Sequence, residues 1–512
     1  MAPPGGDADI AAYGSQRWAT ADPQLSSLLK DIEPELILGV VAPLGADTAD
    51  LESSLAEIFA EFGYVLETIR VSRLLRELDL KTVLVESPEY ERVRSYMDAG
   101  NEVRRRQERN DILALLAVAK ISDLRTTLDP EKPRVFLLSS FKTPDEVHLL
   151  RECYGPAFFL IGSFASESER LDHLRLHQGM TADQALELTR RDQEEEDPRG
   201  QKLRRVFQLA DVFVPAFGAR ARPALERFVD LLFAKPCVTP VSEEMSMFFA
   251  YASSMRSGDL SRQVGASLVA RTADLLSVGV NDVPKAGGGL YWPGTGDARD
   301  HVRGFDSNRA EIYVISEQII KSLIKAGCVD ARDTDDVRAC LTMSALGNLT
   351  EYGRAVHAEM DVLLAASRNG VSAAGNCLFT TTFPCHNCAK HIITAGVHEV
   401  IFVEPYPKSH ALDLHGDAIV DIDSACATDK VKFRHFVGVA PRRFFDLFSM
   451  GLSDSFPVKR QIKGKLIPWS RATASPRLPS IRSDRRSHIQ VEKLLVDALA
   501  LWIKREEQTG GD

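Results

Sequence analysis

Apolar positions along the chain alternate between short continuous runs and helical spacings. LILGVVA (Leu36 to Ala42), VLETIRV (Val65 to Val71), RVFLLSS (Arg134 to Ser140), AFFLIGS (Ala157 to Ser163) and DVFVP (Asp211 to Pro215) are runs of strand length. Their branched and aromatic content predicts buried strands. After the first run, Leu51, Leu55, Ile58, Phe59 and Phe62 recur at the spacing of one helix face. Strands alternating with helices predict a parallel sheet covered on both sides. A second series follows the prolines at 236 and 240. It opens with the helical EEMSMFFAYASSM, then VGASLVA and LLSVGV, which read as a hairpin across RTAD. A helical stretch around Ile312 to Ala326, a helix from His357, a strand CLFTTTF (Cys377 to Phe383), a helix from Cys385 and a strand VIFVE (Val400 to Glu404) complete it. The predicted class is α/β in two parts. Residues 1–27 form a flexible tail, 28–236 a first domain, 237–455 a second and smaller one, and 456–512 a basic linker with an amphipathic C-terminal helix.

Composition narrows the picture. With 44% hydrophobic and 26% charged residues, the 512-residue chain has material for real cores, which excludes wholesale disorder. No apolar run reaches the ~18 residues of a membrane span. The opening MAPPGGDADIAAYGSQRW has neither a basic nor an apolar signal region, so no signal peptide and no membrane are expected. Eight cysteines without an export signal point to a reducing, cytoplasmic setting. The net charge of −10 disfavours general binding to nucleic-acid backbone. One segment departs from it: Lys459 to Arg486 holds nine Lys or Arg against Asp484 alone. The charge run Arg190 to Arg205 reads as a solvated helix-loop-helix.

The chemistry concentrates in the second domain. Cys385, Cys388, Ala389, Ile392, Ile393 and Gly396 mark one face of one helix, with Pro384 just ahead of it. A helix start favours thiolates, and two of them three residues apart suit a divalent metal, zinc by default for mixed sulfur and nitrogen donors. His357 opens another helix and supplies the nitrogen. Three protein ligands leave a fourth position for water, which marks a catalytic zinc. Zinc lowers the pKa of its water towards neutrality. Glu359, beside the metal without binding it, is then the proton shuttle. His-Ala-Glu at 357–359 with Pro-Cys-His-Asn-Cys at 384–388 matches the H-x-E and P-C-x-x-C signature of zinc nucleobase deaminases.

HAEMDVLLAASRNG together with LFTTTFPCHNCAKHIITAGVHEVIFVEPY, RQVGASLV and SVGVNDVP resembles the deoxycytidylate (dCMP) deaminase family over roughly residues 253–439. The resemblance implies a cytidine-deaminase-like α/β/α domain and a homo-oligomer. It implies zinc held by His357, Cys385 and Cys388, proton transfer by Glu359, and substrate contacts from Asn281 and Tyr406. Asn281 equally suits a turn beside Asp282 and Pro284, and Tyr406 a rigid loop between two prolines.

In the first domain, Gly39 to Thr48 lies between a strand and a helix, where a phosphate-binding loop would sit. Ala46 and Asp47 stand where such a loop needs Lys and Ser/Thr, so Gly39, Gly45 and Thr48 mark a degenerate version, unfit for kinase chemistry. A P-loop kinase-like parallel-sheet domain ahead of a dCMP-deaminase-like domain resembles the bacterial anti-phage dCTP deaminases. That resemblance implies deamination of deoxycytidine nucleotides, dCTP and also dCMP, depletion of dCTP in antiviral defence, and a first domain that regulates the second through a bound nucleotide. Two other functions are open at this level. One is a polynucleotide cytidine deaminase acting on RNA or single-stranded DNA. The other is a non-enzymatic nucleotide or RNA sensor, with an inhibitory RNA on residues 459–486.

Overall fold

The computed structural model describes residues 35–129, 132–195, 197–218, 220–349, 351–406, 409–421, 429–453, 457–477, 489, 493 and 496. The expected N-terminal tail and most of the C-terminal helix lie outside them. Two compact units form. One comprises residues 1–244 and 437–512, the other residues 245–436.

The first unit is built on strands β1 (Leu36–Val41), β2 (Val65–Arg70), β3 (Arg134–Ser139), β4 (Phe158–Phe164) and β5 (Val212–Pro215), the five runs read from the sequence. β2, β3, β1, β4 and β5 lie side by side in that order, all parallel. β1 and β3 are buried at every position, as a sheet covered on both faces requires. Helices α1 (Ala49–Glu61), α2 (Glu89–Arg106), α3 (Ile112–Thr127), α4 (Pro144–Tyr154), α5 (Glu167–Leu176), α6 (Ala182–Gln193) and α7 (Ala221–Leu232) supply the cover. The charge run at 190–205 ends α6, passes through a loop and enters a short helix at Leu203–Phe207.

The second unit opens with α8 (Ser242–Ser254), whose first three residues count with the first unit. It holds β6 (Gly265–Val269), β7 (Leu275–Val280), β8 (Cys377–Thr382), β9 (Glu399–Glu404), β10 (Ile419–Asp421) and β11 (Val431–His435), in the sheet order β10-β11-β9-β8-β6-β7. β6 and β7 are the expected antiparallel hairpin, while β8, β9, β11 and β10 run parallel. β10 and β11 went unread in the sequence because neither carries a continuous apolar run. Helices α9 (Ser307–Lys325) and α10 (Thr334–Met343) stand in a long insertion after β7; α11 (Ala358–Arg368) and α12 (His386–Thr394) carry the signature residues.

The unit boundaries differ from the expected 237–455. After Phe436 the chain rejoins the first unit, where β12 (Gly438–Val439) pairs antiparallel with β5. Val439 and Leu447 enter the core beneath β1 and β4. The expected basic linker is also not a free linker where it is described. Trp469 packs against that core and donates its Nε1–H to the Phe233 carbonyl at 3.1 Å. Arg471 pairs with Asp230 and Glu61, and Arg477 is buried with its N–H on the Leu232 carbonyl. Arg482, Arg485 and Arg486 lie outside the described residues.

Candidate metal centre and cavity

His357 is the N-cap of α11 and Cys385 the N-cap of α12. Both side chains therefore project past a helix end rather than along its flank, which lets His357 and Glu359 serve one site. Sharpening the expected picture, Cys385 precedes the first turn, and its sulfur accepts the Cys388 N–H at 3.4 Å. His357 Nδ1 lies 3.4 Å from Cys385 Sγ and 3.3 Å from Cys388 Sγ. Around a tetrahedral zinc, standard bond lengths put such nitrogen and sulfur atoms about 3.6 Å apart, so the three donors already stand close to that spacing. Among the described residues they are the cluster of metal-binding side chains whose donor atoms all lie within 4.8 Å.

Glu359 is buried, with Oε2 3.4 Å from Cys388 Sγ and Oε1 3.5 Å from Thr380 Oγ1. It stands beside the donors, next to Cys388. Thr380 escaped sequence reading; the signal was its place on the same face of β8 as Leu378. The charges in this nest compete. The hydrogen bond from Cys388, helped by the His357 imidazole, holds the Cys385 thiol down to about 4. The same contact with Cys385, together with burial, pushes the Cys388 thiol well up. Bonding to Cys385 raises His357 to about 9, and burial raises Glu359. Three acidic groups converge out of water, and a divalent cation is what allows both thiols to ionise together. The donor set thus fits zinc.

The packing that holds α11 in place depends on a residue the sequence did not flag. A Cβ on Gly279 of β7 would come 2.3 Å from Val362 N and 2.4 Å from the Ala358 carbonyl, so only glycine lets α11 lie directly on the sheet. Asp361 accepts the Val280 N–H at 3.2 Å, and Asp282 and Val356 form a two-way bridge immediately before His357.

A cavity of about 460 Å³ opens over the centre. His357, Glu359, Cys385, Asn281 and Tyr406 all line it. The Asn281 amide, however, is committed: Oδ1 accepts the Val264 N–H at 2.7 Å and Nδ2 donates to the Arg262 carbonyl at 2.9 Å. Its visible work is to fix residues 262–264. Arg262, unflagged in the sequence, lies on the cavity wall with its guanidinium 5.5 Å from the centre of the Tyr406 ring. His386, His391 and His410 face Glu351, the Asn387 carbonyl and Asp413 respectively.

Residues 241–404 match the family described as cytidine and deoxycytidylate deaminase zinc-binding region. The second unit carries a deaminase-like zinc domain. The matched span includes His357, Glu359, Cys385 and Cys388 and stops short of Tyr406. Deoxycytidylate deaminase of Enterobacteria phage T2 is 28% identical over 162 residues, 31% of this chain and 78% of that protein. The Homo sapiens deoxycytidylate deaminase is 26% identical over 160 residues, 31% of this chain and 63% of that protein. A crystal structure of dCMP deaminase from the cyanophage S-TIM5 aligns over 39% of this chain and 100% of its own, with 18% identity and a TM-score of 0.22. Zinc is the cofactor that the deaminase-like domain and its His/Cys/Cys donors call for.

In the first unit, the three loop residues part company. Gly39 lies inside β1, where a Cβ would come 2.9 Å from Leu160 and Phe141, so its role is packing. Gly45 adopts φ +90° in the loop itself, and Thr48 is the N-cap of α1. No helix among the described residues is long and apolar enough to cross a membrane.

Proposed function

We propose that the deaminase-like domain hydrolyses the exocyclic amine of deoxycytidine nucleotides, converting dCTP and dCMP to the deoxyuridine nucleotides. The observation that carries this is the Glu359 carboxyl, set beside three metal donors without joining them, on the wall of a nucleotide-sized cavity. Ligand cavities run to about 300–1,000 Å³, and this one falls inside that range. Zinc, when bound, supplies a water made acidic enough to attack at neutral pH. Glu359 takes the proton as the water oxygen adds to C4 and delivers it to the ring nitrogen N3. A second proton, taken from the new C4 hydroxyl and delivered to the amine, lets the C4–N4 bond break, the C4 carbonyl form and ammonia leave. His357, Cys385 and Cys388 hold the metal, and burial keeps bulk water from Glu359.

Arg262 and Arg309 both line the cavity, one from the loop before β6 and one from α9. Of the acidic neighbours, Asp300 pairs with Arg354 and Asp259 accepts the amides of Ser261 and Arg262, while Asp306 accepts the Arg309 N–H and lies 4.0 Å from its Nε. Two guanidinium groups lining one cavity, Arg309 within 4.0 Å of Asp306, suit a triphosphate better than a monophosphate. The relatives named deoxycytidylate deaminase support the base and sugar. Depletion of dCTP as an antiviral device, control by a P-loop kinase-like first domain and a homo-oligomeric state extend the same reading.

The test is ammonia release by zinc-loaded protein from dCTP, dCMP, CTP and cytosine-containing oligonucleotides in parallel. Turnover of the deoxycytidine nucleotides is expected. Turnover of oligonucleotides alone would transfer the activity to polynucleotides, and no turnover at all would leave a sensor. Glu359→Ala should lower kcat roughly a hundred- to ten-thousandfold while zinc content is retained.

A further inference from the structure

The degenerate loop of the first unit is filled by the chain itself. Loop 42–48 follows β1, Lys142 follows β3, and Arg170 sits in the second turn of α5, after β4. These strands are neighbours in the order β3-β1-β4 and all run the same way. Ligands of open parallel sheets bind beyond such carboxyl ends, at the point where the strand order reverses. Here β1 and its two neighbours mark that point.

A carboxylate occupies it. Asp192, at the end of α6 and fully buried, accepts the Leu44 N–H of the loop at 2.8 Å on Oδ2. Its other oxygen takes the Lys142 ammonium at 2.5 Å. A loop amide and a lysine from outside the loop thus hold a carboxylate as they would hold a phosphate. Gly45 lets the loop press on α5, because a Cβ there would meet the Arg170 carbonyl at 2.7 Å.

The charges do not balance around that one carboxylate. Arg170 is 5% exposed, and its guanidinium makes one long contact, Nη1 to the Leu44 carbonyl at 3.5 Å, while Nε has no partner. A buried guanidinium in that condition is costly unless an anion completes its shell. Two further buried groups lack partners: Thr189 Oγ1, one turn before Asp192 on α6, and Ser163 Oγ, at the end of β4. Lys142 takes one oxygen of Asp192, while Arg170, near Asp192 and Glu167, forms no ion pair with either among the described residues.

We propose that Lys142, Arg170 and the amide of Leu44 form an anion site that takes a terminal phosphate group, with Asp192 as the resting occupant that the phosphate displaces. The site binds and does not transfer. Ala46 stands where the phosphate-transfer lysine would be, and the cations that replace it come from the loop after β3 and from α5. Entry of a phosphate moves the end of α6, so ligand binding and the position of the following loop become one event.

The test uses the full zinc-loaded chain, with inorganic phosphate, pyrophosphate and ATP as separate calorimetric probes. Wild-type protein should bind pyrophosphate in the millimolar range. Asp192→Asn, which keeps the shape and removes the competing charge, should tighten this by about tenfold, and Arg170→Gln should weaken it by about tenfold in either background. Tighter binding of ATP than of pyrophosphate would identify a nucleotide as the source of the phosphate; equal binding would identify the free anion. Equal affinity in wild type and Arg170→Gln overturns the proposal, as does the absence of wild-type binding at millimolar pyrophosphate. The Arg170 comparison stands even if Asp192→Asn fails to fold, which thermal melting reveals. Pyrophosphate held in the deaminase-like cavity would not respond to Arg170.

Discussion

Cys385 and Cys388 are chemically identical and three residues apart, yet their surroundings separate them. Cys385 caps its helix and receives hydrogen bonds, whereas Cys388 is completely buried behind it. Cys385→Ser exchanges a soft donor for a hydroxyl that does not ionise, so zinc content should fall from stoichiometric to near zero by elemental analysis. Cys153 is pushed up to about 12 by desolvation, while Cys237, Cys328 and Cys340 are exposed. Brief alkylation of the native protein near pH 8 should label those three and leave Cys153 unmodified, read by peptide mass spectrometry. The metal donors and Glu359 were legible in sequence because their spacing is itself the chemistry. Thr380 and Arg262 were not, because nothing local distinguishes a threonine in a strand or an arginine in a loop from any other.

At the scale of elements, the insertion between β7 and α11 decides what surrounds the cavity. Arg299 is its anchor, paired with Asp297 at 2.7 Å and with Asp282 at 3.4 Å. Asp282 in turn bridges to Val356, next to the ligand His357. The Arg299 guanidinium holds the Asp297 carboxyl down to about 2. A depressed carboxyl stabilises the fold above its unfolded pKa and loses that contribution as pH falls through the folded one. The melting temperature of Arg299→Gln should therefore lie below wild type by a constant margin down to about pH 4, and the margin should close between about pH 4 and about pH 2. Asn281→Ala should act at the same scale. It frees residues 262–264, and a rise in KM larger than the fall in kcat would mark a positioning role. The strands and the hairpin were legible because their apolar runs are bounded by turn residues. The contact of α11 with β7 was not, because the glycine that permits it matters only once the two elements meet.

At the scale of the whole chain, the return of residues after Phe436 to the first unit makes that unit discontinuous. Trp469 and Arg471 then belong to its stability. Trp469→Ala should cost about 2–3 kcal/mol in denaturant unfolding, somewhat less than a fully buried tryptophan. Arg471→Ala removes one partner of the buried Asp230, whose other is Lys235. An RNA held on the basic segment would have to compete with these internal contacts.

The sequence by itself determined the two α/β parts, the five parallel strands of the first sheet, and the imidazole, two thiols and carboxyl of the metal centre. Periodicity and close spacing are local properties, and they survive without knowledge of the fold. Tertiary structure alone decided three further things: the seating of Asp192 in the degenerate loop, the closure of the first unit by residues from 437 onward, and the committed amide of Asn281. Each joins positions far apart in the chain through a shape or a charge, and a linear reading contains neither.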